Sequence, residues 1–338
     1  MSQPQLPPDA QLLNLMFGKT IASSLGALAK LAVADHMSPG EFRDVAAISA
    51  HSGTDEASLY RVLRVLASVG VFAQDGRAFR LTEVGELLRT DHPRSLRNLN
   101  WTWFDEWRSR AYENLAETLQ TGTNGVQLAY GKHAWDHFKD FPEQGRLFSE
   151  AMTSFSRASG AAILDAYDFS GIERLADVGG GHGMLLSSIL GKYPSISGVL
   201  FDLPHVIEQA RAAPHTAGLG ARLSFEPGSF MENVPSGCDA YIMKHIIHDW
   251  HDEGCLRILH MIREKLPAHG RVLVCDMVVN ETPEPSPAKL LDIEMLACTE
   301  GGKERTAREF AELLSTAGFR LERIVPTAGP ICVIEGRP

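Results

Sequence analysis

The spacing of apolar positions changes character twice along the chain. Over residues 1–100 it is mainly helical. Thr54 is placed to cap a helix, with Asp55 and Glu56 in its first turn. Leu59, Val62, Leu63, Leu66 and Val69 then follow helical spacing, and Gly70 supplies a stop. The stretch VFAQDGRAFRL reads as two short strands joined at Asp75-Gly76. Helix, second helix and hairpin predict a winged helix-turn-helix. Nearer the start, TIASSLGALAKLAVADHM is more apolar than a single buried face requires, which predicts burial between two copies of the chain.

Residues 100–160 keep a helical pattern but carry large side chains, including four of the five tryptophans: Trp101, Trp103, Trp107 and Trp135. Most of these suit an ordinary core. Trp103, Met152 and Phe155, with Met295 and Leu296 further on, are also candidates to wall an apolar ligand pocket.

From about residue 172 strands alternate with helices. LADV leads into a glycine turn and a helical pattern from Met184 to Leu190. GVLF ends at Asp202, RLSFE precedes Gly228, and DAYIMK runs into MKHIIHDWHDE. RVLVCD follows, then helical patterns over AKLLDIEMLA and Thr306 to Ala317, then strands around RLERIV and ICVIE. This order predicts an α/β, doubly wound, mostly parallel Rossmann-like sheet behind a mainly helical N-terminal domain. The expected divisions are residues 10–100, a helical segment 101–165 and a catalytic domain 166–338. In such sheets ligands bind beyond the carboxyl ends of the strands, where Asp202, Ser229, Lys244, His248 and Asp276 fall.

Charge narrows the choice of partner. The net charge is −10, and residues 1–100 carry ten basic and ten acidic groups, so the acidic excess lies in the remainder. The 54–69 helix, which would read DNA in a winged helix, offers only Arg61 and Arg64. Nucleic acid is not expected as a partner, because that affinity rests on neutralising phosphates. Five scattered cysteines without a CxxC pair argue against a disulfide framework or a thiolate zinc site. The reading finds no apolar run approaching the roughly 20 residues that span a bilayer, and no signal pattern in MSQPQLPPDAQ. A reduced, cytoplasmic protein is expected.

The turn Asp177-Val178-Gly179-Gly180-Gly181-His182-Gly183 follows a strand, and Asp202 ends the next strand 23 positions after Gly179. That is the offset at which a carboxylate accepts hydrogen bonds from ribose hydroxyls. The nicotinamide pattern G-x-G-x-x-G does not fit, because its last glycine would fall on Met184. Here the sequence resembles the S-adenosylmethionine-dependent methyltransferases. LADVGGGHG, FDLPHV, MKHIIHDWHDE and GGKERT, in that order, resemble more narrowly the small-molecule O-methyltransferases of the plant caffeic-acid and chalcone type and their bacterial natural-product relatives.

That resemblance implies a homodimer formed by the winged-helix-like domain and an aromatic small-molecule acceptor, most simply a phenol. It also implies a cofactor site in which Gly179 and Gly181 line the turn and Asp202 holds the ribose. Phe230 and Lys244 would meet the adenine region with Trp250 stacked nearby, and Ser156 would bond the methionyl carboxylate. His248 would be the general base, flanked by Asp276 and Glu304. The chain departs from the family at Ser229 and Asp276, where Asp and Glu are common. His245 replaces a usual aromatic, and His182 a small hydroxyl residue.

The chemistry suits these residue types. A phenol near pKa 10 is mostly protonated at neutral pH, and an imidazole with an ordinary pKa of about 6.5 can take its proton. The other ring nitrogen then needs a carboxylate to set the tautomer, as Asp276 or Glu304 could provide. His245, His248 and His251 also raise a metal site, but residues three apart diverge on a helix and scatter on a strand exit, so no metal is expected. Transfer to nitrogen, a cofactor-binding homologue without catalysis and a winged-helix regulator remain the alternatives.

Overall fold

The apolar stripe at Leu59, Leu63 and Leu66 is buried in a helix, Glu56–Ser68, as its spacing predicts. The cap is one residue later than expected. Asp55 accepts the Ser58 amide at 2.8 Å, while the Thr54 hydroxyl pairs with Ser52. Val69 is exposed rather than part of the buried stripe, and Gly70 follows it in the left-handed region at φ 84°, where glycine costs least.

The computed structural model describes residues 6–338. Its internal contacts divide the chain into Met1–Ser109 with Glu143–Ser154, and Arg110–Pro142 with Phe155–Pro338. In the first unit a long helix, Pro8–Lys30, precedes a winged-helix core. The strands β1 (Arg43–Asp44), β2 (Phe72–Asp75) and β3 (Ala78–Leu81) pair antiparallel in the order β1-β3-β2. The β2–β3 hairpin is the one expected at Asp75-Gly76. The two-residue β1 was not foreseen, since so short a segment carries no alternation to read. The core of this unit gathers Val33, Val45, Ile48, Leu63, Leu66 and Phe79 at full burial.

Arg61 and Arg64 are exposed on the helix Glu56–Ser68, and the Arg64 guanidinium lies 5.5 Å from the Tyr60 ring centre. The first helix corrects the reading of membrane-length segments: its 23 residues are long and apolar enough to cross a bilayer by length and composition. Leu12, Leu13, Leu15, Met16 and Phe17 on it are exposed, at 50–78% of their surface.

In the second unit the apolar runs become a sheet covered on both faces, which is why its strands read as nearly unbroken hydrophobic segments. The strands are β4 (Arg174–Val178), β5 (Ser197–Asp202), β6 (Leu223–Pro227), β7 (Ala240–Lys244), β8 (Arg271–Val279), β9 (Arg305–Thr306), β10 (Arg320–Pro326) and β11 (Ile331–Arg337). Their order is β6-β5-β4-β7-β8-β11-β10, with β9 paired to β8. The strands from β6 to β8 run parallel, and β10 and β11 close the edge antiparallel. Helices Asp252–Lys265 and Ala307–Thr316 pack on one face, and Met184–Lys192 and Pro204–Arg211 on the other.

The order of travel reverses between β4 and β7. A crevice opens beyond the carboxyl ends of such neighbours, where the two crossovers leave in opposite directions. The strand expected to end at Asp276 runs on to Val279, because Val278 and Val279 pair with Arg305 and Thr306 of β9. Asp276 therefore stands past the end of β7, whose last residue, Lys244, pairs with Cys275.

Replacing Leu63 with Ala, in the fully buried centre of the first unit, is expected to cost about 2–5 kcal/mol in urea unfolding. A loss below about 1 kcal/mol would remove Leu63 from a tightly packed core.

Candidate active site

The tight exit of β4 is built from three glycines in the left-handed region, Gly179 (φ 70°), Gly181 (φ 58°) and Gly183 (φ 78°). A side chain at Gly179 would meet Ile246 and Phe230, whereas the space beside the Gly181 α-carbon is open. The Gly181 amide donates to Asp202 Oδ2 at 2.8 Å, and the Leu203 amide donates to Oδ1 at 2.7 Å. Each oxygen keeps a second lone pair for another donor. Burial pushes the Asp202 carboxyl up against the pull of these two bonds. The turn thus offers a bare backbone beside an anchored acceptor.

With it go two titratable groups, buried Asp177 and half-buried Lys244. Asp177 is 2% exposed with Oδ2 unpartnered, and burial lifts its pKa to about 7 despite the opposing charge of Lys244. Lys244, at the end of β7, is pushed down by burial, with Asp177 opposing, and its ammonium lies 5.9 Å from the centre of the Phe155 ring. Asp177 escaped the sequence reading; its signal was an acid inside the otherwise apolar strand LADV. Phe230 meets Trp250 edge to face at 6.0 Å, both packed against the core on that side of the sheet. The Ser229 hydroxyl accepts the Met231 amide, and Ser156 lies half-buried in the helix Pro142–Ala166.

After β7 the backbone turns sharply. His245 takes φ 55°, uncommon for a residue with a side chain. Its amide donates to Asp276 Oδ1 at 2.9 Å. His248 follows in a single 3-10 turn, Ile247–Asp249, and is buried. Its Nδ1 lies 2.5 Å from Glu304 Oε1, a short contact across 56 residues of sequence. Its Nε2 lies 3.6 Å from Asp249 Oδ1. Burial alone lowers the affinity of the imidazole for a second proton, but Asp249, Asp276 and Glu304 outweigh it and raise the pKa to about 9. Asp276, wholly buried, is in turn lifted to about 6 by burial, against the pull of His248. Glu304 thus makes the bond to the imidazole, while Asp276 acts on it by charge and spends Oδ1 on the backbone of His245.

The expectation that the histidines scatter holds for His251, which caps the helix Asp252–Lys265. It fails for His245, whose ring centre is 4.8 Å from that of His248. Strand exit, left-handed residue and short turn curl the chain back on itself, which a spacing argument based on straight elements misses. His245, His248 and Asp276 each bring an atom within 4.8 Å of the others.

Two supports were also invisible to the sequence reading. Arg305, 1% exposed, donates to the Ile247 carbonyl at 3.0 Å, the Trp250 carbonyl at 3.1 Å and Asp252 Oδ1 at 2.7 Å. Its planar fork ties both ends of the turn that carries His248. Gly302 lets the loop before β9 pass so close that a side chain there would lie 2.5 Å from the His248 carbonyl oxygen. The Glu304 amide is held by Asp292 Oδ1 at 2.9 Å. Of the expected pocket residues, Phe155 lies 5.2 Å from His245, ring centre to ring centre. Met295 is buried and Leu296 half-buried on the helix Pro287–Cys298. Trp103 and Met152 belong to the first unit.

Comparison with known proteins places this geometry. The O-methyltransferase domain family matches residues 112–320, and the O-methyltransferase dimerisation domain family matches residues 13–91. A phenazine O-methyltransferase of Lysobacter antibioticus is 36% identical over 98% of this chain and 97% of its own. A mitomycin biosynthesis 6-O-methyltransferase of Streptomyces lavendulae is 34% identical over 96% of this chain and 93% of its own. Among solved structures, a methyltransferase of calicheamicin biosynthesis in its SAH-bound form superposes with a TM-score of 0.87 at 35% identity, covering 99% of this chain and 100% of that one.

A raised imidazole pKa makes a signed expectation. His248 protonation stabilises the fold below its free value of about 6.5, and that stabilisation is lost as pH rises through about 9. Nitrogen-edited NMR of labelled imidazole should show His248 titrating with a midpoint near 9. In Glu304→Gln its midpoint should fall toward neutrality. An unchanged midpoint would mean that Glu304 does not govern this proton.

Proposed function

This chain belongs to the O-methyltransferase family, and from that membership we propose that His248 is the general base, kept in its working tautomer by Glu304. The protein is an S-adenosylmethionine-dependent O-methyltransferase. The observation that carries the residue assignment is the buried contact between His248 Nδ1 and Glu304 Oε1, which leaves Nε2 to face an acceptor.

The glycine turn fits the cofactor. Gly181 keeps open space beside its α-carbon, and the Asp202 oxygens retain lone pairs for ribose hydroxyls. Gly179, Phe230, Lys244 and Trp250 are assigned to its adenosine side, with Ser229 close by and Ser156 assigned to the methionyl carboxylate. When bound, S-adenosylmethionine supplies a methyl group on a sulfonium, already activated for displacement by oxygen.

The protein must then hold the acceptor in line and take its proton. His248 takes the hydroxyl proton on Nε2 as oxygen attacks, and Glu304 stabilises the imidazolium through Nδ1. Asp276 adds negative charge to the same cation and holds the turn through the His245 amide. The price is a base that rests protonated at neutral pH, so the reaction accelerates as the solution becomes more alkaline. Phe155, Met295 and Leu296, all of the second unit, are assigned to the walls around the acceptor. The two relatives described above act on a phenazine and in mitomycin biosynthesis, which supports a hydroxylated aromatic natural product as the acceptor. Five free cysteines suit a reducing compartment.

The dimerisation domain covers residues 13–91, and we assign the exposed face of the first helix, including Leu15 and Phe17, to a homodimer contact.

His248→Ala is expected to lower kcat by about 10²–10⁴-fold while leaving S-adenosylmethionine affinity within about threefold by calorimetry; wild-type turnover in the variant would refute the assignment. For the wild type, kcat/KM should rise about tenfold per pH unit below a midpoint near 9 and then level. A limb that moves with the acceptor's own pKa instead would place the controlling proton on the substrate. By sedimentation, the wild type should be a dimer at micromolar concentration and Leu15→Asp/Phe17→Asp a monomer. A dimer that survives both charges would move the interface elsewhere.

A further inference from the structure

Beside the base, the glycine turn and the flanking acids lies His245, a buried polar side chain to which none of them gives a task. His245 is 8% exposed at its side chain, and neither ring nitrogen has a hydrogen-bond partner. Native interiors rarely strand such groups, because an unmade hydrogen bond leaves the full cost of desolvation. The residue also sits at φ 55°, a conformation that glycine or asparagine adopts more easily. The chain therefore bears two local costs at one position.

Packing does not account for them. The ring lies between Phe155, at 5.2 Å, and His248, at 4.8 Å between centres. An aromatic hydrocarbon side chain would fill that space with no stranded nitrogen. The backbone of the position is held independently by the bond from the His245 amide to Asp276. What the imidazole adds is one donor and one acceptor, beside the ring of His248. Burial, with Lys244 and His248 adding like charge, keeps the ring neutral, so it retains both capacities.

Resting on the reading of His248 as the base, we propose that His245 is a specificity-determining residue: it hydrogen-bonds a heteroatom next to the hydroxyl that is methylated. The acceptor class this selects is a phenol with an adjacent hydroxyl, amino group, carbonyl or ring nitrogen. The rings of His245 and His248, 4.8 Å apart between centres, can each make a bond of about 2.8 Å to two neighbouring substituents of one aromatic system. The adjacent heteroatom fixes the ring in its plane and presents the hydroxyl to His248. A phenol lacking it leaves the imidazole stranded, and that difference is the selectivity.

The test uses two matched pairs of probes, 2,3-dihydroxynaphthalene against 2-naphthol and 8-hydroxyquinoline against 1-naphthol. Calorimetry with the full chain saturated with S-adenosylhomocysteine gives their affinities, and methylation assays give their turnover. The wild type is expected to favour the first member of each pair by about ten- to a hundredfold. His245→Phe and His245→Gly should bring each pair within about threefold, and His245→Asn should restore part of the preference. Glycine and asparagine tolerate the left-handed backbone, so these variants keep the turn even where Phe does not. Equal wild-type affinities within both pairs, including no measurable affinity for any probe, overturn the proposal. So does a preference that survives in His245→Gly. Selective binding without turnover would sink the His248 assignment and leave the His245 subsite standing; turnover without selectivity would do the reverse.

Discussion

A buried imidazole bonded to a buried carboxylate is the constraint around which the second unit is arranged. His248 and Glu304 are 56 residues apart, and their contact of 2.5 Å exists only where the exit of β7 meets the loop before β9. Neither partner is stable there alone: an unpaired buried charge costs several kcal/mol. The exit of β7, the extension of β8 and the loop before β9 must therefore all end in the same place. The parallel sheet supplies that convergence, since its strands deliver their following loops to one edge.

The supports around this pair divide between holding and charging. Arg305 holds, by binding the main chain on both sides of His248, and Gly302 holds by admitting a close approach that any side chain would block. Asp276 and Asp249 charge, by raising the proton affinity of the ring without bonding to it as Glu304 does. Strength as a base and readiness as a base thus pull in opposite directions. A more basic imidazole stabilises the ion pair it becomes, yet carries a proton more of the time at neutral pH.

Local regularities were the legible ones. The helix at Glu56–Ser68, the hairpin at Asp75-Gly76 and the alternation from β4 onward follow from periodicity and turn chemistry within a few residues. The family and its cofactor were legible from four ordered motifs, and the family matches bear out that reading. What was missed depends on contacts between distant segments. The run of β8 past Asp276 needs β9 beside it, and the choice of Glu304 over Asp276 as the bonded acid needs the register of both. The approach of His245 to His248 needs a left-handed residue, uncommon wherever there is a side chain and without a glycine to announce it. Arg305 carries no signal of its own in the sequence, where it is one charge following Glu304. Its burial became visible only when the carbonyls it serves were placed.

The main-chain bond from His245 to Asp276 has an evolutionary consequence. Because the amide, and not the imidazole, makes the bond to Asp276, a side chain that tolerates the left-handed backbone can stand there without breaking that bond. Gly302 and Arg305 are locked, since any exchange disturbs His248 itself. Position 245 is a replaceable tooth in a rigid jaw: descendants of this chain can trade it for another residue that accepts the left-handed turn without moving the pair of His248 and Glu304.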